Sequence, residues 1–253
     1  LYLTVFPTWL LKMDRATGVM SALVRLGDPQ GAAWAFDPSG KILVTSTSWG
    51  MVLRVDPTNG TSTVAAGTSD PLDGPLALAA VSYFDAMVGD GRSSLYACDN
   101  AHRSVRKVDL AAGQISTLAS FPDSPCGGLA LDSQGTVYVS DATRVQKVNA
   151  ATGALTTVAG TREEGFSGDG GPALQARFFR GGHPLAFDAA GNLYIADTGN
   201  YRIRRVDAAT GIIQTVVGNG TFTESAAEGP ALNVGLADVP VSYTHLTLPT
   251  KRI

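Results

Sequence analysis

The chain has 253 residues, with 19 basic against 22 acidic side chains and a formal net charge of -3, so it carries no broad field to attract nucleic-acid phosphates. Its 29 Gly and 13 Pro, beside many Thr, Val and Asp, describe short strands joined by tight turns and exclude a mainly helical fold. No apolar run reaches the ~18 residues of a membrane-spanning helix.

In chain order, one pattern recurs four times. It reads Ala35-Phe36-Asp37-Pro38-Ser39-Gly40-Lys41-Ile42-Leu43, then a degenerate copy from Asp90 to Leu95-Tyr96, then Ala130 to Tyr138, then Ala186 to Tyr194. With Asp37, Asp90, Asp132 and Asp188 as anchors, an apolar pair follows in the same register each time. Next come Ser46, Asp99, Asp141 and Asp197, and then a mixed basic and apolar stretch such as Arg202-Ile203-Arg204-Arg205-Val206. Each stretch closes with a turn, at Asp56 to Gly60, Asp109 to Gly113, Asn149 to Gly153 and Asp207 to Gly211, where Gly takes positive φ and Asp or Asn bonds the turn backbone. A Thr/Val-rich strand follows. Each unit thus predicts a four-stranded antiparallel meander, the size of one propeller blade. The fold class is all-β, a β-propeller of four whole blades plus one partial blade.

Two connections are longer than the rest, Ala66 to Leu78 and Gly160 to Pro184. Both contain Asp-Gly followed by Pro, and both are expected on one face of the disc, with Gly165 to Gly171 facing solvent. That stretch is Gly-rich but lacks the Lys-Ser/Thr of a phosphate-binding loop.

These residues resemble the NHL repeat family over nearly the whole chain up to Pro240. Asn200-Tyr201-Arg202-Ile203 is similar to the family's Asn-His-Arg-hydrophobic signature, with Asn100-Ala101-His102-Arg103 as an interrupted version. Gly165-Phe166-Ser167-Gly168-Asp169-Gly170-Gly171-Pro172-Ala173 resembles a connector of bacterial and lower eukaryotic members. The resemblance implies a propeller, commonly six-bladed, that serves as a binding platform for a protein, peptide or glycan.

Leu1-Tyr2 and Asp14 to Gly18 align with Leu193-Tyr194 and Asp207 to Gly211, so the chain is expected to begin inside a blade. Residues 1–240 then read as an incomplete propeller. From Val241 to Thr250 the sequence resembles translated sequencing-adapter DNA, and 241–253 is expected to be a tail foreign to the fold.

Catalysis finds little support in the residues. An amidating lyase related to NHL proteins holds zinc with several histidines, but only His102 and His183 precede the tail, and a catalytic zinc usually takes three protein ligands. His102 is expected to pack on a strand between blades. Gluconolactonase-like and streptogramin-lyase-like propellers suggest a lyase or hydrolase with a metal-assisted site at the channel mouth, as the alternative function. Glu163, Glu164, Glu224 and Glu228 all fall in connectors, and Asp99, Asp141 and Asp197 are assigned turn roles. No catalytic, cofactor or metal residue is assigned, and no cofactor is implied. Arg103, Arg106, Lys107, Arg202, Arg204 and Arg205 form either a basic rim, as in RNA-binding family members, or packed stems. Cys98 and Cys126 read as buried free thiols, with one disulfide as the alternative.

Overall fold

A computed structural model describes residues 2–5, 9–13, 20–25, 34–46, 51–66, 73–76, 84–121, 125–223 and 230–236. The Asp14 to Gly18 turn, Glu224, Glu228 and the tail from Val241 lie outside the described residues. The chain divides into two units, Leu1–Pro122 and Asp123–Ile253.

The first unit holds three sheets. β1 (Tyr2–Val5), β2 (Trp9–Met13) and β3 (Met20–Arg25) form blade 1, a three-stranded meander. Blade 2 is β4 (Trp34–Phe36), β5 (Ile42–Ser46), β6 (Met51–Val55) and β7 (Ser62–Ala66). Blade 3 follows a short strand, β8 (Gly74–Pro75), and consists of β9 (Phe84–Gly89), β10 (Ser94–Asp99), β11 (Ser104–Asp109) and β12 (Gln114–Ser120). The order in this sheet is β8-β12-β11-β10-β9, so β8 caps the outer edge. Blades 2 and 3 share a core in which Ala35, Leu43 and Val52 meet Phe84, Leu95 and Ile115.

The second unit holds blade 4, made of β13 (Gly128–Leu131), β14 (Val137–Ser140), β15 (Arg144–Val148) and β16 (Leu155–Gly160), and blade 5, made of β17 (Leu185–Phe187), β18 (Leu193–Asp197), β19 (Arg202–Val206) and β20 (Ile213–Val217). Their first strands, β13 and β17, lie next to each other. The approach is close enough to require glycine, since a Cβ on Gly128 would sit 2.3 Å from the His183 carbonyl oxygen.

The four anchors occupy one place, after the first strand of each whole blade. In each, Oδ1 accepts the N–H groups two and four residues on: Ser39 and Lys41 at 2.9 and 3.0 Å, Arg92 and Ser94 at 2.8 and 3.0 Å, Gln134 and Thr136 at 2.9 and 2.8 Å, Ala190 and Asn192 at 3.0 and 2.9 Å. The repeated Asp therefore ends the strand and folds the turn by satisfying backbone donors that the ladder has released.

All five sheets also carry a bulge between the third and fourth strand of the meander pattern, at Leu10/Leu11, Val52/Leu53, Val105/Arg106, Val145/Gln146 and Ile203/Arg204. A bulge twists the strand and re-aims the next side chain. In blades 3 and 5 that side chain is an arginine.

The cysteines correct the free-thiol expectation. Both Cys98 and Cys126 are buried, and both are disulfide-bonded. Among the described residues no helix is long and apolar enough to cross a membrane.

Candidate functional site

In a meander blade, the loop from second to third strand and the connector entering the blade emerge at the same end. In blades 3 and 5 this end holds the side chains with the most chemistry, and they follow one plan.

In blade 5, Arg204 is fully buried. Its Nε and NH2 donate to Asp169 Oδ1 at 3.1 and 2.8 Å, and its NH1 and NH2 donate to the carbonyls of Arg177 and Ser167 at 2.9 and 2.7 Å. The buried Asp197 carboxylate lies 3.7 Å from NH1. Thr215, opposite Arg204 across the bulge, donates to Asp169 Oδ2 at 2.6 Å. Blade 3 repeats the arrangement. Arg106, also fully buried, donates to Asp73 at 2.9 Å and to Asp99 at 3.3 Å, and Thr117 donates to Asp73 at 3.0 Å.

The Gly165 to Gly171 stretch does face solvent, and it is at the same time hydrogen-bonded to its blade. Gly170 N–H donates to Ile213 O at 2.8 Å, Ile213 N–H to Gly171 O at 3.0 Å, and Ala173 N–H to Gly211 O at 2.9 Å. Leu76 N–H makes the equivalent bond to Gly113 O at 2.8 Å. Ala173, Ala176 and Phe178 go on into the core of the second unit. Blade 4 is entered by a short connection without Asp-Gly-Pro, and there the bulge places Gln146 opposite Thr157. A neutral side chain, Gln146, stands there in place of the arginine.

Within each unit the basic set is divided. Arg106 and Arg204 are internal ion-pair partners, Lys107 lies mid-strand in β11, Arg205 turns to Asp207 at 3.6 Å, and Arg103 and Arg202 belong to the loop end of their blades.

The Asp residues at the ends of the second strands do accept loop N–H groups, as Asp141 does from Thr143 and Arg144 at 3.0 and 2.8 Å, but turn formation is only part of their role. Asp141 also takes the Arg144 guanidinium. Asp197 accepts Phe179 N–H at 3.1 Å and Asn200 Nδ2–H at 2.9 Å, and burial, the dominant influence, raises its pKa.

The histidines differ from each other. His183 is fully buried beside Phe178, with Nε2 3.2 Å from Ala142 O and Nδ1 3.4 Å from Ala196 O. Burial lowers its pKa, and with both ring nitrogens against backbone carbonyls the side chain is a structural one. His102 corrects the strand expectation: it stands in the β10–β11 loop, its side chain 33% exposed, with Nδ1 2.8 Å from Asp99 Oδ2. It occupies the place of Asn200, because Asp99 pairs with Ser104 as Asp197 pairs with Arg202. The Asn100 to Arg103 signature is thus shifted by two residues from its sequence alignment.

At the blade 5 end the surface is aromatic. Phe166, Phe179 and Phe222 are 41%, 46% and 50% exposed. The Arg202 guanidinium lies 4.0 Å over the Phe166 ring and donates to the carbonyls of Asn200 and Asn219 at 3.1 and 2.9 Å. The Tyr201 and Phe222 rings are 5.6 Å apart, and Phe179 covers Gly199, where no Cβ would fit. Asn200 Nδ2 also donates to Gly165 O at 2.9 Å, which fixes the Phe166 loop to this surface. Tyr201 holds φ 52, and Arg103 at the equivalent position holds φ 48. These left-handed conformations cost a non-glycine residue of order 1 kcal/mol or more and are typical of functional loops.

Phe166 and Tyr201 stand inside the motifs quoted above but carried no binding role there, and Phe179 and Phe222 gave no signal. The available signal was Phe166, an apolar ring set among loop glycines that cannot cover it. By contrast, the cavity between blades 2 and 3, lined by Leu43, Val52, Phe84, Met87 and Leu95, measures about 10 Å³ and holds at most one water. Among the described residues no group of three His, Cys, Asp or Glu side chains could hold a metal ion.

No family model and no curated protein sequence matches this chain. Solved structures do. An auxiliary nutrient binding protein from Bacteroides thetaiotaomicron shares 13% identity at a TM-score of 0.65, over 88% of this chain and 56% of that one. The chain is a β-propeller by fold. A catalytically inactive virginiamycin B lyase from Staphylococcus aureus, with quinupristin, gives 13% identity and a TM-score of 0.57, over 82% of this chain and 62% of that one. A nidogen/laminin complex gives 18% identity and a TM-score of 0.58, over 81% of this chain and 70% of that one. This chain spans 56% and 62% of the length of the first two, and at such identities the likeness is one of fold.

Proposed function

We propose that the chain is a binding propeller of NHL type that engages a protein, peptide or glycan through the connector end of its blades. The observation that carries this reading is the cluster of Phe166, Phe179 and Phe222, exposed rings, with the half-buried Tyr201 and Arg202, held by a hydrogen-bonded frame. Aromatic and arginine side chains dominate binding energy where they can be desolvated by a partner, and a preset frame lowers the ordering cost. Two of the structural neighbours are a nutrient binding protein and a nidogen/laminin complex, which agrees with a binding role. The test is to probe glycan and peptide arrays with the full chain and with a Phe166→Ala/Phe222→Ala variant. Retention of a ligand by the first and its loss by the second supports the reading.

A second reading, a propeller lyase or hydrolase, has one observation in its favour. Asp99 fixes Nδ1 of the partly exposed His102, the arrangement that leaves Nε2 as a proton acceptor. Turnover of cyclic esters or lactones by the full chain, lost in His102→Ala and independent of Phe166, would favour it over binding.

A further inference from the structure

Two Asn-Gly-Thr tripeptides occur, at Asn59 to Thr61 and at Asn219 to Thr221. This is the acceptor pattern for N-linked glycans. Both asparagines are exposed in turns, and both glycines take positive φ, 74° at Gly60 and 85° at Gly220. The local geometry is the same in both. Asn59 Oδ1 accepts the N–H and the hydroxyl of Thr61 at 2.9 and 2.8 Å, and Asn219 Oδ1 accepts those of Thr221 at 2.9 and 2.6 Å. The two donors on the amide oxygen hold each asparagine side chain in one orientation beside its threonine.

The two sites differ at nitrogen. Asn219 Nδ2 donates to Asn233 O at 3.0 Å, which ties the amide to the following connector. Among the described residues Asn59 Nδ2 has no such partner. On the near side of its turn, Asp56 accepts the N–H and hydroxyl of Thr58 at 2.9 and 2.5 Å and pairs with Lys41 at 2.9 Å, so the β6–β7 turn is set from within the blade. A third observation is independent of the turns: both cysteines are disulfide-bonded, which is usual in the oxidising compartments where N-glycosylation takes place.

We propose that Asn59 is an N-glycosylation site, with Thr61 as its positioning residue. The donor is an oligosaccharide carried on an isoprenoid pyrophosphate. Asn59 Nδ2 attacks the anomeric carbon and a nitrogen–carbon bond forms. The bond from that carbon to the pyrophosphate oxygen breaks, the lipid pyrophosphate leaves with the electron pair, and the amide gives up one proton. No oxidant or reductant is needed. Within blade 2 the β6–β7 turn lies at the opposite end from the β5–β6 loop, so the glycan projects away from the end at which that loop emerges.

The test is translation of the full chain behind a cleavable secretory signal in the presence of endoplasmic-reticulum microsomes. Thr61→Ser keeps the hydroxyl and so separates loss of the site from a variant that fails to fold. A mobility shift removed by peptide N-glycosidase is expected, lost in Asn59→Gln and in Thr61→Val, and kept in Thr61→Ser and in Asn219→Gln. Enzymatic release in heavy-oxygen water should label residue 59. A protease-protected chain without that shift, a shift lost only in Asn219→Gln, or unlabelled deamidation of Asn59 in place of a glycan would overturn the proposal.

Discussion

Asp169 and Arg204 meet at 2.8 Å across 35 residues of chain, and their contact makes the Gly160 to Pro184 connector part of blade 5. Arg204 is fully buried and Asp169 about one-third exposed, so the two halves of the pair differ in consequence. Arg204→Leu leaves Asp197 buried without its cation and should cost about 3–5 kcal/mol of unfolding free energy. Asp169→Asn should cost only about 1 kcal/mol, because solvent screens the exposed carboxylate. The double variant Arg204→Gln/Asp169→Asn, which copies the neutral pattern at Gln146, should be less destabilised than Arg204→Leu. Urea unfolding of the three variants checks this order.

The close passage of β13 past the residues before β17 makes a second prediction. Gly127→Ala would place a Cβ 2.1 Å from the Gly182 Cα, and Gly128→Ala would meet the His183 carbonyl. Each should destabilise by about 1–3 kcal/mol as an overpacking change. Gly135→Ala, where open space surrounds the Cβ but φ is 79°, should show only the smaller backbone penalty of that conformation.

His183 sets a pH dependence. Burial holds its folded pKa below the ordinary 6.5, so the unfolded chain binds the proton more readily. Its contribution is therefore complete above that value, and stability falls as pH drops through and below about 6.5. The raised pKa of Asp197 acts in the opposite sense, since a group that takes up protons more readily when folded favours the folded state on acidification. Comparing the chain with His183→Gln isolates the histidine. The variant's stability should change less between pH 7.5 and 5.5, as read by thermal melts in matched buffers, which span the ordinary value of about 6.5.

For the cysteines, thiol titration of the denatured chain should find no free thiol before reduction and both after it. Reduction should lower stability by about 2–4 kcal/mol.

The blade plan was legible because its signals are local. Asp37, Asp90, Asp132 and Asp188 bond backbone two and four residues away, and a repeat aligned on them recovers strand and turn together. The site was not legible for the opposite reason. Whether Arg204 forms a surface rim or an internal pair depends on Asp169, which the connector brings back from 35 residues earlier. The family signature misled at His102, since matching Asn100 to Asn200 by letter ignores the strand pairing that makes His102 its equivalent. Exposure of Phe166, Phe179 and Phe222 depends on three segments meeting at one blade end, which no single stretch of sequence encodes.

Hydrogen exchange of the chain, alone and with a ligand taken from the array screen, shows whether the ligand docks on the connector end of blade 5. Docking there predicts added protection in residues 162–179, 198–203 and 219–222, with no change in the anchor turns at 38–41, 90–94 and 132–136. It also predicts that Phe166→Ala weakens binding by about tenfold or more, the loss of over 1 kcal/mol expected for a buried aromatic anchor. Protection confined to the anchor turns, or a Phe166→Ala variant that binds as tightly as the unchanged chain, would rule docking at this end out.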